Sequence, residues 1–367
     1  MRVDRIFLSG FRNYEQGLAE FDPGINVITG SNAQGKTNLL EAVYMLTGGR
    51  SFRTRFDREI IGFDYDMGEI LADVNTQGRD LTLRIILRRG QRKQIFRNGA
   101  KKTASELSGA LTAVLFCPDD LNLIREGAAA RRRMMDLAIG QLRPGYASLM
   151  SRYNRLLDSK GRILRDWREK PSLLDTLDDF SREMCRVSSR LIRYRASFVK
   201  RLGQEAAAIH ADFSASREKL ELFYKTVSTV SDPFAPAETI LEQLYEHQAA
   251  HRQAEIESGS CLTGIHRDDL EIDINSRPAR AFASQGQTRT AALSLKLAER
   301  EIFLGQTGEY PVLLLDDVLS ELDADRQEFV LNRIGGGQTL ITCCEDEGIA
   351  RRTGGRVLTV KNGNITL

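Results

Sequence analysis

The sequence predicts an α/β protein: a head with a mixed β-sheet, interrupted by an α-helical lid domain that contains a short antiparallel coiled-coil hairpin. Three observations predict it. A glycine-rich turn at residues 30–37 follows a short apolar strand and opens a helix with one apolar face. Near residue 116 the texture changes to apolar residues at heptad spacing, and after about residue 261 short strands and turns return. The head is therefore expected at residues 1–115 and 261–367, with the lid at 116–260. A chain of 367 residues exceeds the usual size of one hydrophobic core, as two packed units require.

The elements follow in order. Val3, Ile6 and Leu8 alternate with polar neighbours, which suits a strand over 2–9. Residues 24–29 read as a second strand. Leu39, Leu40, Val43 and Leu46 share one face of a helix that starts at Lys36. Residues 67–75, 80–88 and 92–97 read as a β-meander with turns at Gln77-Gly78 and Arg89-Gly90, and Asn98-Gly99 follows. Leu149, Tyr153, Leu156, Ile163 and Trp167 keep a 4-3 spacing, with Lys160 at one seam position. Leu173, Leu177, Phe180, Met184, Val187, Leu191, Tyr194 and Phe198 continue it. Pro171 separates the two runs and Ser172 can cap the second helix, so a helical hairpin is expected. A third helix spans 237–257. Residues 311–315 and 339–342 are buried-strand runs, and 357–367 reads as a hairpin turning at Asn362-Gly363.

Composition excludes several classes. No stretch approaches the ~18 apolar residues that span a bilayer, and Met1 leads straight into a charged strand rather than a signal peptide. The five cysteines are odd in number and lack CxxC spacing, which argues for a cytoplasmic, reducing setting and against a zinc site. Net charge is only +2, but residues 121–210 carry 19 Lys+Arg against 10 Asp+Glu, leaving the rest of the chain at −7. Such asymmetry points to a polyanion partner or to a solvated helical surface.

The residues that carry chemistry are concentrated in four places. Gly30-Ser31-Asn32-Ala33-Gln34-Gly35-Lys36-Thr37 fits the phosphate-binding P-loop pattern GxxxxGK[ST]. Its N–H groups and the following helix N-terminus converge on an anion. Lys36 can reach the outer phosphates, and Thr37 can ligate Mg²⁺. The apolar strand ending in Asp316-Asp317 places Asp316 beside that metal and Asp317 where a general base polarises water. Ser284, Gly286 and Gln287 precede an apolar helix. Their hydroxyl and backbone N–H can meet a phosphate, although an ordinary Ser N-cap explains the serine as well. Ser320-Glu321-Leu322-Asp323 follows the Asp pair.

This order of motifs resembles the ABC ATPase superfamily. The expected fold class is therefore an ABC-type P-loop ATPase head with a helical lid. In that superfamily the signature segment of one subunit closes on ATP held by another, which implies ATP and Mg²⁺ as cofactors. It gives Ser284, Gly286 and Gln287 a role in trans, and makes Ser320 and Asp323 part of the D-loop. Residues 8–14 (LSGFRNY), 51–54 (SFRT), 116–121 (FCPDDL), 263–270 (TGIHRDDL) and 283–290 (ASQGQTRT) are similar to the RecF family in particular. That resemblance implies recombinational repair, with links to DNA replication and the SOS response. It implies an ATP-dependent homodimer on double-stranded or gapped DNA, with RecR, RecO and RecA in the pathway and slow hydrolysis as a switch. It also brings Arg12 towards the phosphates. Two departures are visible: Asp317 stands where most ABC ATPases have Glu, and Cys343-Cys344-Glu345 replaces the switch His. For DNA contacts the sequence offers Arg131, Arg132 and Arg133, or a solvated helix face. The alternative is an ABC-type ATP-binding subunit of another assembly. Against a transporter subunit stand the heptad insertion and the 248 positions between Lys36 and Ser284.

Overall fold

The computed structural model describes residues 1–227, 229–344 and 347–366, so Glu345 of the switch-His departure and Leu367 of the terminal hairpin lie outside the described residues. In chain order, β1 (Arg2–Phe11), β2 (Tyr14–Glu20) and β3 (Ile25–Thr29) precede α1 (Lys36–Met45). β4 (Met67–Thr76), β5 (Arg79–Arg88), β6 (Gln94–Arg97) and β7 (Ala100–Lys102) follow, then α2 (Ala104–Leu107) and β8 (Ala113–Phe116). Next come α3 (Ala128–Leu142), α4 (Pro144–Asp166), α5 (Leu177–Phe213), β9 (Leu220–Lys225) and α6 (Ala237–Ser258). β10 (Asp269–Ile274), β11 (Arg277–Pro278), α7 (Ala279–Phe282) and α8 (Gln285–Thr307) complete the middle of the chain. It ends with β12 (Val312–Asp316), α9 (Ala324–Leu331), β13 (Thr339–Cys343), α10 (Glu347–Thr353), β14 (Arg356–Lys361) and β15 (Asn364–Thr366).

Two compact units result, Met1–Asn122 with Ala292–Leu367, and Leu123–Ala291. The first contains two six-stranded sheets. One is an antiparallel sheet in the order β2-β1-β4-β5-β6-β7, and the other is a mixed sheet in the order β15-β14-β3-β13-β12-β8. β3, β13, β12, β8 and β14 run parallel. β12 and β13 are buried along their whole length, as continuous apolar runs in a covered parallel sheet should be. Their register sets the site: Asp316 pairs with Thr342 and Thr29 with Cys343, so the turns after β3, β12 and β13 leave the sheet on one edge. In open α/β sheets that edge, at the strands' carboxyl ends, is where ligands bind. α1 packs its apolar face into the core between the sheets, with Leu39, Leu40 and Val43 fully buried. β2, absent from the expected elements, is a short edge strand that buries Tyr14, Gly17 and Ala19 and exposes Glu15, Gln16, Leu18 and Glu20.

The second unit is helical with one small sheet, β11-β10-β9. α4 and α5 form the expected antiparallel hairpin: Arg152 pairs with Glu183 at 2.6 Å, and the rings of Tyr146 and Tyr194 meet at 5.6 Å. It is not a two-stranded coiled coil. α6 packs against both helices, and Lys160 is fully buried with its Nζ 2.6 Å from Glu255 Oε2 on that third helix. A helix enclosed on several sides buries more than one stripe. Tyr194, expected in the seam, is exposed, while the neighbouring Arg195 is buried. The boundaries also differ from those expected at 115/116 and 260/261. Residues 261–291 group with the helices because β10 pairs with β9 on the far side of α6. Arg195 further ties Asp136 (two hydrogen bonds of 2.9 Å) to Asp268 (3.1 Å).

Candidate nucleotide site

The phosphate loop is shaped by steric necessity. Gly30 has φ 145°, and a Cβ there would lie 2.3 Å from the Val360 carbonyl oxygen. Gly35 has φ 118°, and a Cβ would meet the Asn13 amide at 2.8 Å and the Tyr14 hydroxyl at 3.0 Å. Only glycine satisfies both the dihedral and the space. Ala33 adopts a left-handed φ of 63° to complete the curl. Neighbouring segments then fix the loop. The buried Tyr14 hydroxyl donates to Gly35 O (2.9 Å), Asn13 Nδ2 donates to Gln34 O (2.8 Å), and Gly363 N donates to the same carbonyl (3.1 Å). Asn362 N donates to Gln34 Oε1 at 2.6 Å. These bonds account for the turn 10–14 and for the Asn362-Gly363 hairpin.

Within that frame Lys36 is buried and reaches back across the loop to the carbonyls of Gly30 and Ser31, the latter at 3.0 Å. Thr37 Oγ1 donates to Asp316 Oδ1 at 2.8 Å, bringing together two residues 279 positions apart. Thr342, which reads in the sequence only as part of a strand, donates to the same oxygen at 2.9 Å and accepts from Asp317 N at 2.9 Å. Burial pushes the Asp316 carboxyl above its usual range, and the Thr37 and Thr342 hydroxyls offset part of that. Asp317 follows in a left-handed conformation, φ 53°, half-buried. Ser320 Oγ donates to the Asp317 carbonyl (2.6 Å) and lies 3.3 Å from its carboxylate. Asp323 caps α9 by accepting from Arg326 N at 3.0 Å. Cys344 stands exposed at the end of β13, its Sγ 2.9 Å from Asn32 Oδ1 and 3.8 Å from Lys36 Nζ.

The donor set fits Mg²⁺. Among the described residues no cluster of three His, Cys, Asp or Glu could hold a metal by itself. Instead the loop offers one hydroxyl and one carboxylate oxygen, the hard and sparse set that suits an ion completed by phosphates and water.

Arg12 departs from expectation. Its guanidinium is bidentate on Glu41, at 2.7 and 2.9 Å, and donates to Glu59 O at 2.6 Å. Glu41 is fully buried on α1 and also accepts from Ser51, with Arg53 at 3.6 Å. A buried carboxylate needs such partners. Nothing in the sequence marks Glu41, since an acidic residue between Leu40 and Ala42 reads as solvent-facing.

In the other unit, Ser284 and Gln287 form a capping box: Gln287 N donates to Ser284 Oγ (3.2 Å), and Ser284 N donates to Gln287 Oε1 (2.8 Å). The serine hydroxyl spends a lone pair on the cap and keeps its own O–H as a donor. Gly286 lies in the first turn of α8. The three arginines of the cluster differ in exposure. Arg131 is buried, bidentate on Asp269 at 2.8 and 2.9 Å, and donates to Glu126 O at 2.6 Å. Arg132 is half-buried and donates to the Asp268 carbonyl, and only Arg133 of the three is exposed. Arg131 ties Asp269 to α3.

A Walker-type loop after β3, a hydroxyl-bonded aspartate on β12 of the same parallel sheet with β13 between them, and an antiparallel sheet in the same unit define an ABC-type ATPase head. Residues 2–362 match the family model described as RecF/RecN/SMC N terminal domain. The DNA replication and repair protein RecF of Acetivibrio thermocellus is 38% identical over 362 residues, covering 98% of each chain. RecF of Bacillus cereus is 38% identical over 369 residues, covering 100% of this chain and 98% of its own. A solved structure of the recombination mediator protein RecF with ATPrS, in the RecFOR pathway, aligns with a TM-score of 0.92 at 32% identity, covering 99% of this chain and 97% of that one. An Smc head bound to the C-winged helix domain of ScpA is 16% identical with a TM-score of 0.57, covers 100% of this chain and 96% of that one, and shares the fold alone. The chain belongs to the RecF family of DNA replication and repair proteins.

Proposed function

We propose that the chain is an ATP-driven DNA-binding switch of recombinational repair. ATP bound at the loop closes two copies on double-stranded or gapped DNA, and slow hydrolysis releases them. RecR and RecO act with the closed dimer to load RecA. The observation that carries the reading is the Thr37–Asp316 hydrogen bond of 2.8 Å beside Lys36, which gathers a phosphate grip and a metal ligand pair on one sheet edge. Relatives solved as RecF-ATP and RecF-ATPrS support ATP as the nucleotide.

Thr37 and Asp316 would hold Mg²⁺, whose charge neutralises the outer phosphates. Lys36 binds those phosphates once it releases the Gly30 and Ser31 carbonyls. Asp317 orients and deprotonates the attacking water, with Ser320 fixing its backbone. A single loop leaves the γ-phosphate open on one side, and Ser284, Gly286 and Gln287 of a second copy cover it. DNA phosphates meet the exposed Arg50, Arg53, Arg55 and Arg58 after α1, where Arg58 lies 5.2 Å from the exposed Phe56 ring. Lys36→Ala abolishes ATP binding and dimerisation together. Ser284→Arg leaves nucleotide binding intact and blocks closure, so an ATP-dependent dimer of Ser284→Arg in light scattering overturns the reading.

A further inference from the structure

The signature turn is polar, exposed and weakly enclosed. Ser284 and Gln285 are exposed, and beside them Ile274, Arg277, Phe282, Ala283 and Gln287 line an open cleft of about 400 Å³. Arg125 Nη2 donates to Ala283 O at 3.4 Å, and Gln287 ties the turn to a neighbouring carboxylate. Gln287 Nε2 donates to Glu218 Oε1 at 2.8 Å, while its Oε1 accepts from Ser284 N, so this amide bridges the helix cap to Glu218. The second Glu218 oxygen lies 3.0 Å from Nε2 of His210, a fully buried residue in the last turn of the 37-residue helix α5. A carboxylate oxygen can only accept, so His210 Nε2 is the donor in this pair. Glu218 is itself immobilised. The turn before it has Ala215 and Ser216 at φ 48° and 58°, Ser216 N donates to Ala211 O at 2.7 Å, and Glu218 N donates to Ser214 Oγ at 3.3 Å.

We infer that Glu218 is a positioning residue for ATP-driven closure: it fixes the signature turn to the C-terminal end of α5 through the chain Ser284–Gln287–Glu218–His210. The inference rests on the proposed closure in trans. A serine hydroxyl and an N–H must meet a phosphate within a few tenths of an ångström, and a turn bordering an open cleft gains that precision from fixed polar anchors. Two charge-assisted hydrogen bonds supply the constraint.

The test uses the full-length chain with mant-ATP for binding, light scattering for dimerisation with ATP, and circular dichroism for folding. Glu218→Ala keeps mant-ATP affinity, because no P-loop group is touched, and raises the concentration for ATP-dependent dimerisation by about 10- to 100-fold, the usual weight of charged hydrogen bonds. Glu218→Ala/Gln287→Ala is no worse than Gln287→Ala alone, because both remove one link. His210→Gln, whose amide still donates to Glu218, dimerises like wild type, whereas His210→Leu follows Glu218→Ala. This pair decides the matter if Glu218→Ala does not fold. A wild-type dimer with unaffected Glu218→Ala and His210→Leu, or effects of Glu218 and Gln287 that simply add, overturns the inference alone. A wild-type chain that stays monomeric with ATP overturns the closure reading and the inference with it.

Discussion

Asp317 stands at φ 53°, a conformation that costs a non-glycine residue free energy and persists because Thr342 and Ser320 hold its backbone. Its carboxylate lies 3.3 Å from Ser320 Oγ just after β12. Asp317→Asn keeps the shape and removes the base, so ATP turnover falls about 10²- to 10⁴-fold, and the ATP-bound dimer persists longer on DNA. A phosphate-release assay that finds unchanged turnover reassigns the base, with Glu321 next. Cys344 offers a probe of the same loop. It is the one exposed thiol of the five, 3.8 Å from the Lys36 ammonium. N-ethylmaleimide modifies it selectively, and saturating ATP slows that modification, as intact-mass spectrometry reads directly. Equal rates with and without ATP would place the nucleotide away from Cys344.

Between α4 and α6 the buried Lys160–Glu255 pair decides how the helical elements meet. Removing one partner leaves a buried charge and costs about 3–5 kcal/mol, whereas a double replacement by apolar residues of similar volume is near neutral. Lys160→Met is therefore strongly destabilised in urea unfolding, and Lys160→Met/Glu255→Gln, which removes the orphaned charge while keeping an acceptor for the Leu262 and Thr263 N–H groups, recovers part of the loss. The pair also sets a pH dependence. Burial alone pushes the Glu255 carboxyl up, but the Lys160 charge and hydrogen bonds from Lys160, Gln248 and the Leu262 N–H hold it below its usual range. A carboxylate depressed on folding contributes stability above its ordinary pKa near 4.5 and loses it as pH falls towards the lower folded value. Glu255→Gln removes that contribution, so its stability falls less than wild type between about pH 5 and the acid transition. Parallel pH profiles of the two would show that Glu255 carries no linkage.

Across the whole molecule, the basic excess of residues 121–210 is partly consumed inside the fold, by Arg131 on Asp269 and Arg195 on Asp136 and Asp268. The exposed Arg50, Arg55 and Arg58 remain in the head. Changing these three to Ala weakens ATP-dependent duplex binding and lowers the slope of log affinity against log salt by about 0.9 for each phosphate no longer neutralised. Sequence preference stays slight, since phosphate-binding side chains position a protein without reading bases. Wild-type affinity and slope in the triple variant would move the DNA surface elsewhere. Among the described residues no helix is long and apolar enough to cross a membrane.

What the sequence determined by itself was local and periodic. Glycine spacing marked the phosphate loop, unbroken apolar runs marked β12 and β13, and Pro171 marked the turn between α4 and α5. Each rests on a rule about backbone freedom or burial that neighbours in sequence can express. The tertiary structure decided the rest, where a residue's fate depends on what lies opposite it. Glu41 is buried because Arg12, Ser51 and Arg53 converge on it. Arg131 is buried because Asp269, 138 positions away in sequence, lies 2.8 Å away in space. Thr342 is a site residue only because β12 and β13 pair in a register that puts it beside Asp316. Heptad spacing found the helical hairpin, and the third helix was legible at 237–257, but not that it packs on the hairpin, since an apolar stripe records that a face is covered, not how many elements cover it.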